Sequence, residues 1–144
     1  RIEEEKIPLL GICFGHQIIA QALGGKVEKF SGGWSVGLKE YKWGNESIHL
    51  NAWHQDQVVE KPKKAKVLAE NSFCKYAALS YGDTILTTQP HPEFTHEVIK
   101  GLIETRGKGR VPEHLLDEAL NNFEKKTSLN EIVAKFSSVL NGAR

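Results

Sequence analysis

The sequence contains no methionine, only two cysteines and no apolar run long enough to cross a membrane. Two cysteines that lie far apart cannot build the disulfide framework of a small secreted domain. We therefore expect free thiols in a reducing compartment, the cytoplasm, and no membrane segment. Because a chain without methionine has no start residue, we expect it to be a piece of a longer protein.

The chain also lacks a large net charge, since it contains 19 Lys and Arg residues and 18 Asp and Glu residues. This balance predicts neither a nucleic-acid partner nor binding to an anionic membrane. The one basic cluster, Lys61–Lys66, has no interleaved aromatic residues and is typical of a solvated loop. No spacing of Cys and His fits a closed zinc site, and no glycine loop fits a phosphate. We expect neither a metal nor a cofactor.

What the chain does contain is a cysteine, Cys13, flanked by Gly11 and Gly15. The apolar run before it predicts a strand over 7–12, and the apolar pattern after it predicts a helix over 14–23. This is the layout of a nucleophile elbow, in which glycines leave room for a sharp strand-to-helix turn. The helix N-terminus would point N–H groups at the sulfur and favour its thiolate form. A core cysteine is the alternative, but it would need neither glycine.

The rest of the chain alternates short strands with turns and ends in helices, which predicts an α/β fold in one domain over 1–144. Residues 54–60 give no clear pattern. Further strands are expected at 26–30, 37–43, 47–53, 66–69, 76–80 and 84–88, and helices at 95–105, at 112–123 and from 128 onward.

A histidine loop follows the last predicted strand, in the run 89–94. A thiol nucleophile needs an imidazole within hydrogen-bond reach and a third group that orients it. His91 supplies the imidazole, and Glu93 reaches back to it if Pro92 fixes a tight turn. The alternative is an ordinary loop with a solvated histidine and glutamate.

Taken together, these motifs resemble the class I glutamine amidotransferases, and in particular the GMP-synthase-like stand-alone members. The resemblance covers residues 7–94 and leaves the helical segment 95–144 without a motif. It implies an open, flavodoxin-like sheet with helices on both faces. Family domains place several strands before the elbow, so we expect this chain to form the C-terminal part of such a domain. The resemblance is carried by Gly11–Gln17, Ala22–Gly25, Trp53–Asp56 and His91–Glu93.

The resemblance also implies a mechanism. The Cys13 thiolate would attack the side-chain amide of glutamine, His91 would transfer protons, and Glu93 would orient His91. The backbone N–H of Phe14 would donate to the oxyanion. Gln17, one helical turn after the cysteine, would help to hold the bound glutamine. The ammonia released would pass to a synthetase partner or domain.

The segment His54, Gln55 and Asp56 falls where the family presents a strand-end loop to the substrate, mostly through its backbone. Asp56 is expected either to meet the substrate amino group or to be a solvated loop residue. Two other functions stay open: a γ-glutamyl peptide hydrolase with the same triad, and an inactive partial domain that serves as an interaction module.

Overall fold

The computed structural model describes residues 1–142 and has an α/β fold. Ile103–Gly107 form a π-helical turn. The strands are Leu9–Ile12 (β1), Lys26–Lys29 (β2), Ser35–Trp43 (β3), Glu46–His54 (β4), Asp56–Glu60 (β5), Lys66–Glu70 (β6), Ala78–Tyr81 (β7) and Ile85–Thr88 (β8). The helices are Phe14–Ala22 (α1), His96–Leu102 (α2), Glu113–Asn121 (α3) and Leu129–Gly142 (α4).

Six strands form one mixed sheet in the order β1-β8-β7-β6-β3-β4, and β2 pairs with β5 in a separate two-stranded sheet. Strand β1 runs parallel to β8, with Leu9 opposite Ile85, whereas the other pairs in the large sheet are antiparallel. Among residues 1–142, the second edge of β1 has no partner strand.

Helices cover both faces of the sheet, as the sequence predicts. Successive side chains of a strand point to opposite faces, so Leu9 and Leu10 of β1 pack into two different cores. Leu10 and Leu86 pack with Ile132 of α4 on one face. Leu9 and Ile85 pack with Ile19 of α1 on the other. This arrangement places the elbow between β1 and α1 at the end of the parallel pair.

A third core forms where α2, the π-helical turn and α3 pack on the β3–β4 hairpin. Gly37 of β3 permits this contact, because a Cβ there would lie 2.6 Å from the Cβ of Ala119 and its φ is +83°. Ile99 and Leu116 are among the buried residues of this core. The packed hairpin fixes the end of β4, beside which the histidine loop lies.

Several boundaries differ from those expected, and the departures at β5 and β1 have clear physical reasons. Residues 56–60, which show no clear pattern, form β5 and pair with β2. Gln57 and Val58 are buried in succession, which breaks the alternation on which strand prediction depends. The first strand begins at Leu9 rather than at residue 7, because Pro8 has no N–H to donate to a sheet.

Candidate active site

Cys13 lies at the turn between β1 and α1 with φ 50° and ψ −101°, a backbone conformation rarely adopted by residues other than glycine. Its N–H donates to the carbonyl of Thr88 at 2.8 Å, and its carbonyl accepts from the N–H of Gln17 at 3.0 Å. The strained residue is therefore held from both sides, by the neighbouring strand and by the first turn of the helix.

Phe14 is the first residue of α1, and its side chain is exposed. The N–H groups of the first helical turn have no partner within the helix. The Phe14 N–H, which the sequence suggests as an oxyanion donor, thus lies beside the cysteine at a helix N-terminus.

His91 and Glu93 form a close pair, with Nδ1 of the imidazole 2.6 Å from Oε1 of the carboxylate. Burial lowers the pKa of His91, but hydrogen bonds to Cys13 and Glu93 and their negative charges outweigh it and raise this pKa to about 9. Burial raises the pKa of Glu93, but the bond to His91 outweighs it and leaves this pKa below its usual value. At neutral pH the imidazole is therefore mainly protonated and able to donate.

The turn that carries His91 is clamped by a residue of β4. The N–H of His91 donates to the carbonyl of Asn51 at 2.8 Å, and Nδ2 of Asn51 donates to the carbonyl of Phe94 at 2.9 Å. The rings of His91 and Phe94 stack with centroids 3.8 Å apart. Sequence reasoning missed both supporting residues, because Asn51 alternates with the other polar residues of the predicted strand 47–53 and the pattern does not single it out.

A groove of about 280 Å³ opens beside the cysteine. It brings Cys13 together with all four residues predicted to bind substrate, and it adds two tryptophans. The lining residues are Cys13, Gln17, Trp34, Trp53, His54, Gln55 and Asp56.

The Gln17 amide is fixed in the wall of this groove. Its Nε2 donates to the backbone carbonyl of Asp56 at 2.9 Å and to Oε1 of Gln89 at 3.2 Å. Nε2 of Gln89 in turn lies 3.6 Å from the sulfur of Cys13. Gln89 was not predicted as a site residue.

Two further histidines near the site are buried. His54 is 5% exposed, neither of its ring nitrogens makes a hydrogen bond, and burial lowers its pKa to about 4. His16 is fully buried with Nδ1 2.7 Å from Oγ1 of Thr87, and burial lowers its pKa to about 3. Both are neutral at pH 7, and His16 packs α1 against the sheet.

The second thiol has a different environment. Cys74 is 2% exposed within the core under α4, and burial raises its pKa to about 12. Cys13 is partly exposed, and neither cysteine is bonded to the other. The reactive thiol of this chain is thus expected at position 13.

Two kinds of feature are absent from residues 1–142. Within that range, no group of three or more His, Cys, Asp or Glu side chains is arranged to hold a metal ion. None of the helices described there is both long and apolar enough to span a membrane.

The fold is that of the class I glutamine amidotransferases. It resembles a glutamine amidotransferase from Methylobacillus flagellatus, with a TM-score of 0.76 and 15% identity over 99% of this chain and 64% of that one. A second such protein, from Thermotoga maritima, gives a TM-score of 0.72 and 22% identity over the same shares of each chain. The sequence model of the family Glutamine amidotransferase class-I matches residues 1–105, and the chain belongs to this family.

Relatives with different names match at similar identity. Gamma-glutamyl peptidase 2 of Arabidopsis thaliana is 32% identical over 138 residues, which cover 87% of this chain and 56% of the peptidase. A GMP synthase (glutamine-hydrolyzing) of Thermus thermophilus is 30% identical over 158 aligned residues, which cover 95% of this chain and 30% of the synthase. The chain thus spans about half of the peptidase's length and a smaller part of the synthase.

Proposed function

We propose that this chain carries the nucleophile, base and substrate groove of a glutaminase that hydrolyses the side-chain amide of glutamine and supplies ammonia to a synthetase partner or domain. The observation that supports it most is the 2.6 Å pairing of His91 with Glu93 beside a strained cysteine, Cys13, which helps to raise the pKa of that histidine.

In the first step, the Cys13 thiolate attacks the γ-carbonyl carbon of glutamine. The Phe14 N–H stabilises the negative charge that develops on the carbonyl oxygen. As the carbon–nitrogen bond breaks, protonated His91 gives its Nε2 proton to the leaving nitrogen, and ammonia departs. Because Nδ1 faces Glu93, the carboxylate stabilises the imidazolium before this transfer and keeps the ring oriented afterwards.

In the second step, neutral His91 takes a proton from a water molecule, whose oxygen attacks the γ-glutamyl thioester. The carbon–sulfur bond breaks, glutamate leaves, and Cys13 is regenerated. The sum is glutamine plus water giving glutamate plus ammonia, with no oxidant, metal or cofactor in the balance.

The groove suits the amino-acid end of such a substrate. Both hydrogens on Nε2 of Gln17 have acceptors, so its Oε1 remains to accept a hydrogen bond from the substrate. Asp56 is exposed and offers a carboxylate for an α-ammonium group. Its neighbours in the lining, His54 and Gln55, complete the wall on this side.

A γ-glutamyl peptide hydrolase is the second candidate, and two observations favour it. One is the 32% identity to Gamma-glutamyl peptidase 2. The other is the aromatic wall of the groove, where Trp34 and Trp53 meet edge to face with ring centroids 6.2 Å apart. Such a wall offers apolar surface to a leaving group larger than ammonia.

The proposal also covers the extent of the domain and the compartment of the protein. We infer that residues 1–144 contribute the C-terminal part of an amidotransferase domain, because the chain covers 64% of the Methylobacillus protein and β1 has one unpaired edge among residues 1–142. The free thiol of Cys13 fits a reducing compartment, and we place the protein in the cytoplasm.

A side-by-side assay of glutamine and glutathione tests the function, with ammonia and glutamate as the products measured. We expect glutamine hydrolysis that Cys13→Ala abolishes and that Cys74→Ala, the matched change at the buried thiol, preserves. Turnover of glutathione without glutamine would assign the peptidase instead. A diazoketone analogue of glutamine should label Cys13. Absence of both labelling and turnover would leave an interaction module.

A further inference from the structure

We propose that Gln89 is a further catalytic residue, whose side-chain amide donates a hydrogen bond to the sulfur of Cys13 and stabilises its negative charge. Nε2 of Gln89 lies 3.6 Å from Sγ of Cys13, a normal distance for a hydrogen bond to sulfur. The role in turnover rests on the proposed function, whereas the contact with the sulfur can be tested on the thiol alone.

The direction of this hydrogen bond is fixed by a neighbouring amide. Nε2 of Gln17 meets two acceptors, the backbone carbonyl of Asp56 and the side-chain oxygen of Gln89. A backbone carbonyl can only accept, so the Gln17 amide must present its NH₂ group to both. Gln89 must then turn its oxygen to Gln17, which leaves its NH₂ group facing Cys13.

Burial strengthens the hydrogen bond from Gln89 to the sulfur. Gln89 is 0% exposed and Gln17 is 8% exposed, so water does not compete for either amide. The backbone of Gln89 is also anchored, since its N–H donates to the carbonyl of Ala77 at 2.7 Å. In such surroundings a hydrogen bond to a charged acceptor is stronger than one between neutral groups.

The pair of amides also links the substrate groove to the nucleophile. Gln17 borders the groove with its oxygen and supports Gln89 through its nitrogen. A substrate group bound to the Gln17 oxygen therefore fixes the side chain of Gln17. The Gln17 amide in turn keeps Gln89 in position to donate to the sulfur of Cys13. This gives Gln89 a function distinct from that of His91, which moves protons.

The test follows the alkylation of Cys13 by iodoacetamide in the full chain as a function of pH, by mass spectrometry of the Cys13 peptide, with the Cys74 peptide as internal reference. In Gln89→Met, loss of the donor should slow alkylation at neutral pH about tenfold. The midpoint of the rate profile should move upward by about one pH unit. The matched control is Gln57→Met, a buried glutamine of β5 whose amide donates to the carbonyl of Phe73 instead. It should keep the wild-type profile.

Gln89→Glu serves as a second variant of nearly the same size. It keeps an acceptor for Gln17 but sets a carboxylate beside the sulfur, so its profile should move upward further than that of Gln89→Met. A wild-type profile in a folded Gln89→Met protein, or an equal shift in Gln57→Met, overturns the inference. If Gln89→Met does not fold, an unshifted Gln89→Glu profile overturns it alone. Alkylation needs no glutamine turnover, so a shifted profile without glutaminase activity would retain Gln89 as the donor and reject the proposed function.

Discussion

The backbone of Cys13 is held at φ 50° in a conformation that costs free energy, and the residues packed around it determine whether it persists. Gly11, two residues before the cysteine, lies where a side chain has no room. A Cβ at that position would lie 2.8 Å from Cδ1 of Ile19 and 3.0 Å from both the backbone of Gly15 and Cγ2 of Thr87. The elbow thus depends on β1 and α1 approaching more closely than any side chain at position 11 allows.

We therefore expect Gly11→Ala to lower the free energy of unfolding by about 1–3 kcal/mol, the usual cost of forcing extra volume into a packed core. Urea unfolding measures this change. Gly15→Ala is the matched control, because a Cβ there meets nothing within 4 Å and the position is helical. It should stabilise the chain by about 0.5–1 kcal/mol. Equal losses in both variants would show that the close approach at Gly11 is not the cause.

At the scale of elements, the site forms where β1, β8 and β4 end near one another. Local patterns predict the elbow, because an apolar run, a glycine-flanked cysteine and a helical pattern are contiguous. They also predict the pair of His91 and Glu93, since only two positions separate these residues. They do not predict the support from Asn51, which comes from another strand through an isolated bridge to His91.

The difference between local patterns and contacts from distant segments also explains the other features that were not predicted. Gln89 becomes a site residue only because the parallel pairing of β1 with β8 brings it to Cys13 from a distant part of the chain. Strand β5 is stabilised by pairing with β2 rather than by an alternating pattern of its own. Contacts between distant segments determine these features, and no short window of sequence contains them.

The clamp by Asn51 gives a prediction at this scale. In Asn51→Ala the carbonyl of Phe94 loses its donor, and the turn that orients His91 loosens. We expect kcat for glutamine to fall about tenfold with KM nearly unchanged, since one such hydrogen bond contributes about 1–1.5 kcal/mol. Steady-state kinetics measure both. Asn45→Ala, an exposed change at the opposite end of the same hairpin, should keep wild-type kinetics. A similar fall in kcat there would implicate hairpin stability instead.

Viewed as a whole molecule, the described chain has surface that larger proteins ordinarily cover. One edge of β1 is unpaired among residues 1–142. On α1, which follows this strand, Phe14 is 71% exposed and Ile18 is 52% exposed one helical turn later. Open edges and adjacent apolar side chains favour association with further chain. This surface agrees with a chain that spans 56% of the Arabidopsis peptidase and 64% of the Methylobacillus protein.

The histidines of the site predict how the stability of the whole molecule depends on pH. His16 and His54 have folded-state pKa values of about 3 and about 4, below the ordinary value of 6.5. Below pH 6.5 these histidines are therefore protonated in the unfolded chain but remain neutral in the folded one. Stability should therefore fall as the pH decreases through this window. His91 has the opposite sign, because its pKa is raised to about 9. The stability that it contributes is complete below pH 6.5 and is lost as the pH rises towards 9.

Together, these histidines should place a maximum of stability near pH 6.5, measurable as the free energy of urea unfolding across the pH range. His54→Gln should flatten the acid side of the profile, since it removes one group that must charge on unfolding. His91→Asn should flatten the alkaline side most and change the acid side less, through the loss of its effects on the pKa values of His54 and Glu93. Because the two variants act on opposite sides of the maximum, a general loss of stability cannot imitate the result. If His91→Asn keeps the alkaline slope, His91 is not the protonated partner of Cys13 and Glu93.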